Sequence, residues 1–169
     1  MKGFEMKEII LKIQTYLDLL FKIVEYLAGF FLAITCIAVL AQVVGRYFFA
    51  YSFNWAEELP VVFFAWFGFL GAAVAMHRGE HLGVEFVVKS LPGELQKLLK
   101  VIVSAVGAVF FACIFSYGIT FSIKMMHVSF VTFPLPKGYF YLSLVVSSAL
   151  MVITLVFHLV KDIVFWKEQ

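Results

Sequence analysis

The chain alternates long uncharged stretches with short charged ones. Asp, Glu, Lys and Arg are missing from residues 26–45, 59–77, 101–123 and 138–160. A hydrocarbon core about 30 Å thick takes about 20 helical residues at about 1.5 Å each, so each window is long enough to cross it once. Barrel strands are about ten residues long and alternate apolar with polar positions, which these windows do not. The pattern predicts an all-α membrane protein, a single four-helix domain over 1–169 with spans of about 26–47, 57–77, 99–123 and 138–161.

The segments between the windows carry patterns of their own. In residues 1–25, Met6, Ile10, Ile13, Leu17, Leu20 and Val24 recur at helical spacing, while Glu8, Lys12, Thr15 and Lys22 take the other side. This predicts an amphipathic arm lying in the membrane surface. The competing expectation is a simple continuation of span 1. Gly79 and Gly83 break the end of span 2, and Ser90-Leu91-Pro92-Gly93-Glu94 resembles a helix start, so a second surface-lying segment is expected between spans 2 and 3. In FVTFPLPKGYFY, residues 130–141, Pro134 and Pro136 stop span 3 and set a rigid turn, with Tyr139 and Tyr141 anchoring span 4 at the headgroups.

Within the spans, small residues mark expected contacts. Ala65, Gly68, Ala72 and Ala75 share one face of span 2, and Ser104, Ala108, Ala112 and Ser116 form a series on span 3. Lipid supplies little hydrophobic force between helices, so close backbone approach drives their association. The aromatic faces of Phe63, Phe64, Trp66, Phe67 and Phe69, and of Phe110, Phe111 and Phe115, are then expected to meet lipid or a partner. Cys36 and Cys113 lie mid-span outside any CxxC pair and read as small buried packing residues.

Composition agrees with this picture and charge orients it. A mean hydropathy of +1.00 lies far outside the range of water-soluble domains. The first 25 residues mix charged and apolar positions, unlike a cleavable signal peptide, so span 1 is expected to act as its own insertion signal. Ten of the 13 Lys and Arg residues fall in the arm, the second loop and the tail, against Arg46, Lys124 and Lys137 on the other side. Both termini are therefore expected in the cytoplasm, with Arg78 and His81 at the cytoplasmic interface. This bias accounts for the net charge of +2 without a nucleic-acid partner; membrane lipids are the expected surroundings.

The chemistry inside the spans is sparse. Carriers and pumps place ionisable or strongly polar groups at membrane depth. Here the strongest polar group of span 1 is Gln42; Thr120 and Ser122 sit near an end of span 3, and Ser143, Ser147, Ser148 and Thr154 dot span 4. Such hydroxyls can bond back to their own helix. No catalytic, metal-binding or substrate-binding set is expected in this chain. Bis-histidine haem ligation is the main enzymatic alternative. His77 and His81 are separated by Gly79, His127 lies outside and His158 nears the inner end of span 4, so no pair is expected at matching depth on two spans.

FNWAEELP, residues 53–60, holds the one pair of acids at the outer edge. Asn54 and Glu57 have capping-box spacing, and an acid there also meets the positive end of the helix dipole. Pro60 could instead be the first helical residue, leaving the acids before the helix. Glu58 has no local explanation. Arg46 shares the same edge, so an Arg46 pair with Glu58 or Glu57 is the structural expectation, alongside docking of a second protein.

GRYFF at Arg46, Trp55-Ala56-Glu57-Glu58, GFLGAAVA, HRGEHLGVE and LPKGYFYLSLVVSSALM occur in that order. This set resembles the small four-helix membrane subunit of tripartite ATP-independent periplasmic (TRAP) transporters over essentially the whole chain. The resemblance implies a bacterial inner-membrane complex. In it a large membrane subunit holds substrate and sodium, a periplasmic binding protein delivers an organic acid such as a sialic acid or dicarboxylate, and the small subunit braces the large one. Cofactors are then absent from this chain, and Arg46, Asn54, Trp55, Glu57, Glu58, Lys124 and Lys137 lie where the binding protein would dock. Val145 stands where members often carry proline. Two rivals are a dimeric small drug exporter, which needs a carboxylate within its first span where this chain has Glu25 only at the edge, and a haem-binding redox subunit.

Overall fold

The computed structural model describes residues 2–51, 53–79 and 93–164. Four helices form: α1 Lys2–Phe48, α2 Trp55–His77, α3 Gly93–Met125 and α4 Gly138–Val164. Each contains a stretch long and apolar enough to cross a membrane. His81 and the segment expected to lie on the surface between spans 2 and 3 fall outside the described residues.

The helices pack as an open row and not as a closed bundle. α1 packs on α2, α2 on α4 and α4 on α3, so α1 and α3 form the edges. α4 lies inside the row and buries the most, including Ser143, Val145, Ser147, Ser148, Met151, Thr154 and Leu155. The most apolar window of α3 has no buried residue at all.

α1 runs unbroken through the position where the arm was expected to end. Residues 5–28 contain neither Gly nor Pro, so nothing interrupts the hydrogen-bond ladder there. At about 1.5 Å per residue its 47 residues reach about 70 Å, more than twice a hydrocarbon core. Its inward seam is regular: Ile10, Phe21, Val24, Ala28, Thr35, Ala38 and Gly45 are buried, and half-buried Gln14, Leu17, Phe31 and Gln42 fill the gaps at alternating spacings of three and four. Such a repeat keeps one stripe facing a neighbour along the whole helix. Small residues on this stripe admit large ones from α2, and Phe31 packs at 5.7 Å from both Phe63 and Trp66.

The small-residue stripes are only partly covered within the row. Gly68 and Ala72 are exposed, because α2 turns Leu70, Ala73 and Val74 inward beside Trp66 and Phe67; Ala65 and Ala75 are half-buried. On α3, Ala112 and Ser116 are exposed, and Ser104 and Ala108 half-buried. The α3–α4 seam instead runs through Gly107, Gly118 and Ser122. A Cβ on Gly107 would lie 3.1 Å from Leu155, and one on Gly118 would lie 3.0 Å from Val145. The aromatic expectation divides in the same way: Phe64, Phe110 and Phe115 face outward, while Phe63 and Trp66 pack on α1, and Phe67 and Phe111 line the core. Cys36 and Cys113, expected to be buried, are exposed. Cys36 stands beside Thr35 on the outer side of the α1 seam.

Candidate docking face

One end of the row gathers the C-termini of α1 and α3, the N-termini of α2 and α4, and the two turns joining them. Five of the seven residues singled out for this edge lie on helix ends, Asn54 stands just before α2, and Lys137 lies on the second turn. The α1–α2 turn folds tightly at Gly45. A Cβ there would meet the Phe53 ring at 2.9 Å and the Tyr51 carbonyl at 3.1 Å. Ala50 takes the left-handed conformation at φ 48°, and the Tyr51 ring meets Phe53 edge to face at 5.0 Å, with Phe53 tilted on Trp55 at 5.6 Å.

The α3–α4 turn is a small hairpin. Phe130 N donates to Leu135 O at 3.0 Å and Lys137 N to Val128 O at 2.7 Å, on either side of an antiparallel bridge between Ser129 and Pro136. Pro136 occupies the position of that pair whose N–H would not be used, so its missing donor costs nothing. Phe130 and Phe133 stack at 5.1 Å, and the Lys137 ammonium lies 5.8 Å from the Phe130 ring centre, a cation–π contact. At the base of the hairpin, Ser122 Oγ donates to Gly138 O at 3.3 Å. Gly138 has no room for a side chain, since a Cβ would stand 2.8 Å from the Ser122 carbonyl and 2.6 Å from Met126 Sδ.

Glu58 binds the hairpin to α2. Its carboxylate accepts from Thr132 N at 2.8 Å, Thr132 Oγ1 at 2.5 Å and Val131 N at 3.3 Å. Hydrogen bonds to an ionised acceptor are the strong ones, and here they close a contact across 73 and 74 residues of chain. Arg46, expected as the partner of Glu58 or Glu57, is exposed and makes no ion pair with either among the described residues. The hairpin supplies Glu58's hydrogen-bond donors, and the nearby positive charge that acts on it is Lys137. The expected capping box is not formed. Asn54 itself has helical angles, φ −57° and ψ −40°, so its side chain makes no cap bond; side-chain capping needs an extended residue at that place. Glu57 stays exposed in the first turn, where the helix dipole favours an acid. α2 starts at Trp55, so Pro60 lies inside it and withdraws the usual donor from the Ala56 carbonyl.

The opposite end is held by charges that the sequence did not pair. Arg78 Nη2 donates to Glu25 at 2.5 Å, His77 Nε2 lies 2.8 Å from Asp18 Oδ1, and Lys161 Nζ donates to Gln14 Oε1 at 3.2 Å. These contacts tie the arm of α1 to the ends of α2 and α4. His77 and His158, expected at different depths, stack with ring centres 6.4 Å apart. They do not form a haem site, which would need a nitrogen from each ring aimed at one iron. The His77 ring stacks on Phe21 at 4.1 Å and its Nε2 is engaged by Asp18.

Between the two ends, the polar groups of α4 turn back on their own helix. Ser143, Ser147 and Ser148 donate to the carbonyls of Phe140, Leu144 and Val145. Trp66 Nε1 crosses from α2 to Tyr139 O at 3.1 Å. Thr154 Oγ1 is buried without a partner.

Four long apolar helices, α4 serines bonded to their own backbone and a compact face of aromatic turns define a multi-pass helical membrane protein. Residues 35–165 match the family described as "Tripartite ATP-independent periplasmic transporters, DctQ component", and the chain belongs to that family. It is a small permease subunit of a TRAP transporter, a transport protein and not an enzyme. The chain is 30% identical over 145 residues to a putative TRAP transporter small permease protein of Haemophilus influenzae, covering 85% of this chain and 89% of the relative. It is 33% identical over 81 residues to the C4-dicarboxylate TRAP transporter small permease protein DctQ of Vibrio cholerae, covering 48% of this chain and 35% of the relative. It is also 33% identical over 97 residues to the sialic acid TRAP transporter permease protein SiaT of H. influenzae, covering 57% of this chain and 15% of the relative. The match thus spans well under half the length of the C4-dicarboxylate and sialic acid relatives.

Proposed function

We propose that this subunit is a scaffold and not a conduit. In this reading it lies in a bacterial inner membrane with both termini cytoplasmic. It braces a large membrane subunit that holds sodium and substrate, and it presents the face around Glu58 and the 126–137 hairpin to a periplasmic substrate-binding protein. The substrate would be an organic acid of the C4-dicarboxylate or sialic acid type, as named for the relatives. The observation that carries this reading is the commitment of Ser143, Ser147 and Ser148 to their own helix, which leaves α4 little with which to replace an ion's water shell. The outward stripes Gly68/Ala72 and Ala112/Ser116, beside Phe64, Phe110 and Phe115, supply faces that a larger membrane partner can approach closely. On the arm, exposed Ile9, Tyr16 and Leu20 beside Lys12 and Lys22 suit a contact at the headgroup level.

Reconstitution in liposomes tests the proposal. With a sodium gradient, binding protein and candidate organic acids, the subunit alone is expected to give no uptake, and addition of the large subunit is expected to restore it. Uptake by the small subunit by itself would refute the scaffold.

A further inference from the structure

Between α3 and α4, at the end bearing the hairpin, lies a groove of about 510 Å³ that opens beside the Gly118 contact and ends at Lys124. Its walls are Tyr117 and Phe121 on α3 and Tyr141 and Leu144 on α4, with Gly118 between them and Lys124 at the end nearest the turn. The groove has a physical cause. Gly118 lets a Val145 side-chain methyl approach to 3.0 Å of where a Cβ would be, so α4 packs closely there and the large residues lie to one side. Phe121 and Tyr141 meet edge to face at 4.7 Å, bracing the walls. Tyr117 is 78% exposed, which leaves one wall open along its length.

We propose that this groove holds an acyl chain of an anionic phospholipid whose phosphate meets Lys124. Two independent features point to that occupant. The lining is almost wholly apolar, and its one hydroxyl side chain that is not phenolic, Thr120, donates back to Ser116 O. Lys124 is exposed in the last turn of α3 and has no carboxylate partner among the described residues. Among the described residues, Glu57 and Glu58 are the acids at this end, and Glu58 is occupied by the hairpin. An apolar slot that ends in an unpaired cation at a helix terminus matches a molecule that is a hydrocarbon chain with an anion at one end. Tyr117 and Tyr141 are the residue type that sits at headgroup level.

Native mass spectrometry of the full chain in detergent, titrated with dioleoylphosphatidylglycerol or dioleoylphosphatidylcholine, tests this. One molecule of phosphatidylglycerol is expected to bind saturably and about fivefold more tightly than phosphatidylcholine, the factor equivalent to about 1 kcal/mol for one lysine beside anionic headgroups. Lys124→Gln is expected to abolish that preference and leave phosphatidylcholine binding unchanged. Tyr117→Ala, which removes only an exposed wall, should weaken both lipids. Non-saturating uptake of many lipids, a preference that survives Lys124→Gln, or equal competition by water-soluble glycerophosphoglycerol would each overturn the proposal. Stoichiometric loss of the lipid when the large subunit is added would do the same, by assigning the groove to a protein contact.

Discussion

The two ends of the helical row are fastened by different chemistry. At the hairpin end the fasteners are fixed in geometry: one carboxylate takes three donors from Val131 and Thr132, and Gly45 and Gly138 leave no space for a side chain. At the other end the fasteners are long side chains in half-exposed pairs, Glu25 with Arg78 and Lys161 with Gln14. Backbone groups cannot relocate without moving the chain, whereas an arginine and a glutamate can separate and find water. A rigid hairpin end and an adjustable terminal end fit the proposed scaffold, which would offer a constant surface at the hairpin.

The sharpest way to break this contrast is to fill Gly138. In Gly138→Ala the new Cβ collides with the Ser122 carbonyl, a backbone atom that cannot rotate aside as Met126 can. Overpacking of this kind costs about 1 to 3 kcal/mol. The variant is expected to lose several degrees in melting temperature in detergent, with protease cutting appearing first in residues 126–137. Wild-type melting and protection would show that the α3–α4 junction is looser than its distances imply.

A smaller effect is expected at Glu58, and its control is Arg46. Glu58→Ala removes the acceptor for three donors, so the hairpin should detach from α2 and binding-protein-dependent uptake by the assembled transporter should fall. Glu58→Gln keeps one acceptor oxygen and should retain part of the activity. Arg46→Ala should leave melting unchanged, because Arg46 makes no ion pair among the described residues. If Arg46→Ala proved as damaging to stability as Glu58→Ala, an ion pair and not the hairpin would be holding this end.

How far these contacts were legible beforehand depends on where their partners lie. Spans 2, 3 and 4 could be read because burial in lipid acts on each segment separately, and the prolines placed the second turn. The partner of Glu58 could not be read, since backbone N–H groups 73 and 74 residues away carry no residue signature. The α1 seam was hidden because Gln14, Thr35, Gln42 and Gly45 belong to it, so a search for apolar spacing misses it. On α3 the close approaches to α4 fall at Gly107 and Gly118, beside the Ser and Ala series. A four-residue series of Ser and Ala outnumbers Gly107 and Gly118, yet those two stand eleven residues apart, about three full turns, and define the approach of α4. Which face of a helix is used depends on the order of the row, and that order is a property of all four helices together.

The smallest effect expected is at the terminal end, and salt makes it distinctive. Glu25 and Arg78 have side chains 47% and 51% exposed, so their pair is worth about 0 to 1 kcal/mol and is screened as ionic strength rises. Glu25→Gln and Arg78→Gln should each lower the melting temperature slightly at low salt and not at all at high salt. The double variant should be no worse than either single one, because each single change already removes the whole interaction. The Glu58 contact should respond differently to the same salt series, since its donors are uncharged backbone and hydroxyl groups for which added ions compete poorly. Loss of stability with salt at the hairpin end, or a salt-independent cost at Glu25 and Arg78, would reverse the assignment of rigid and adjustable ends.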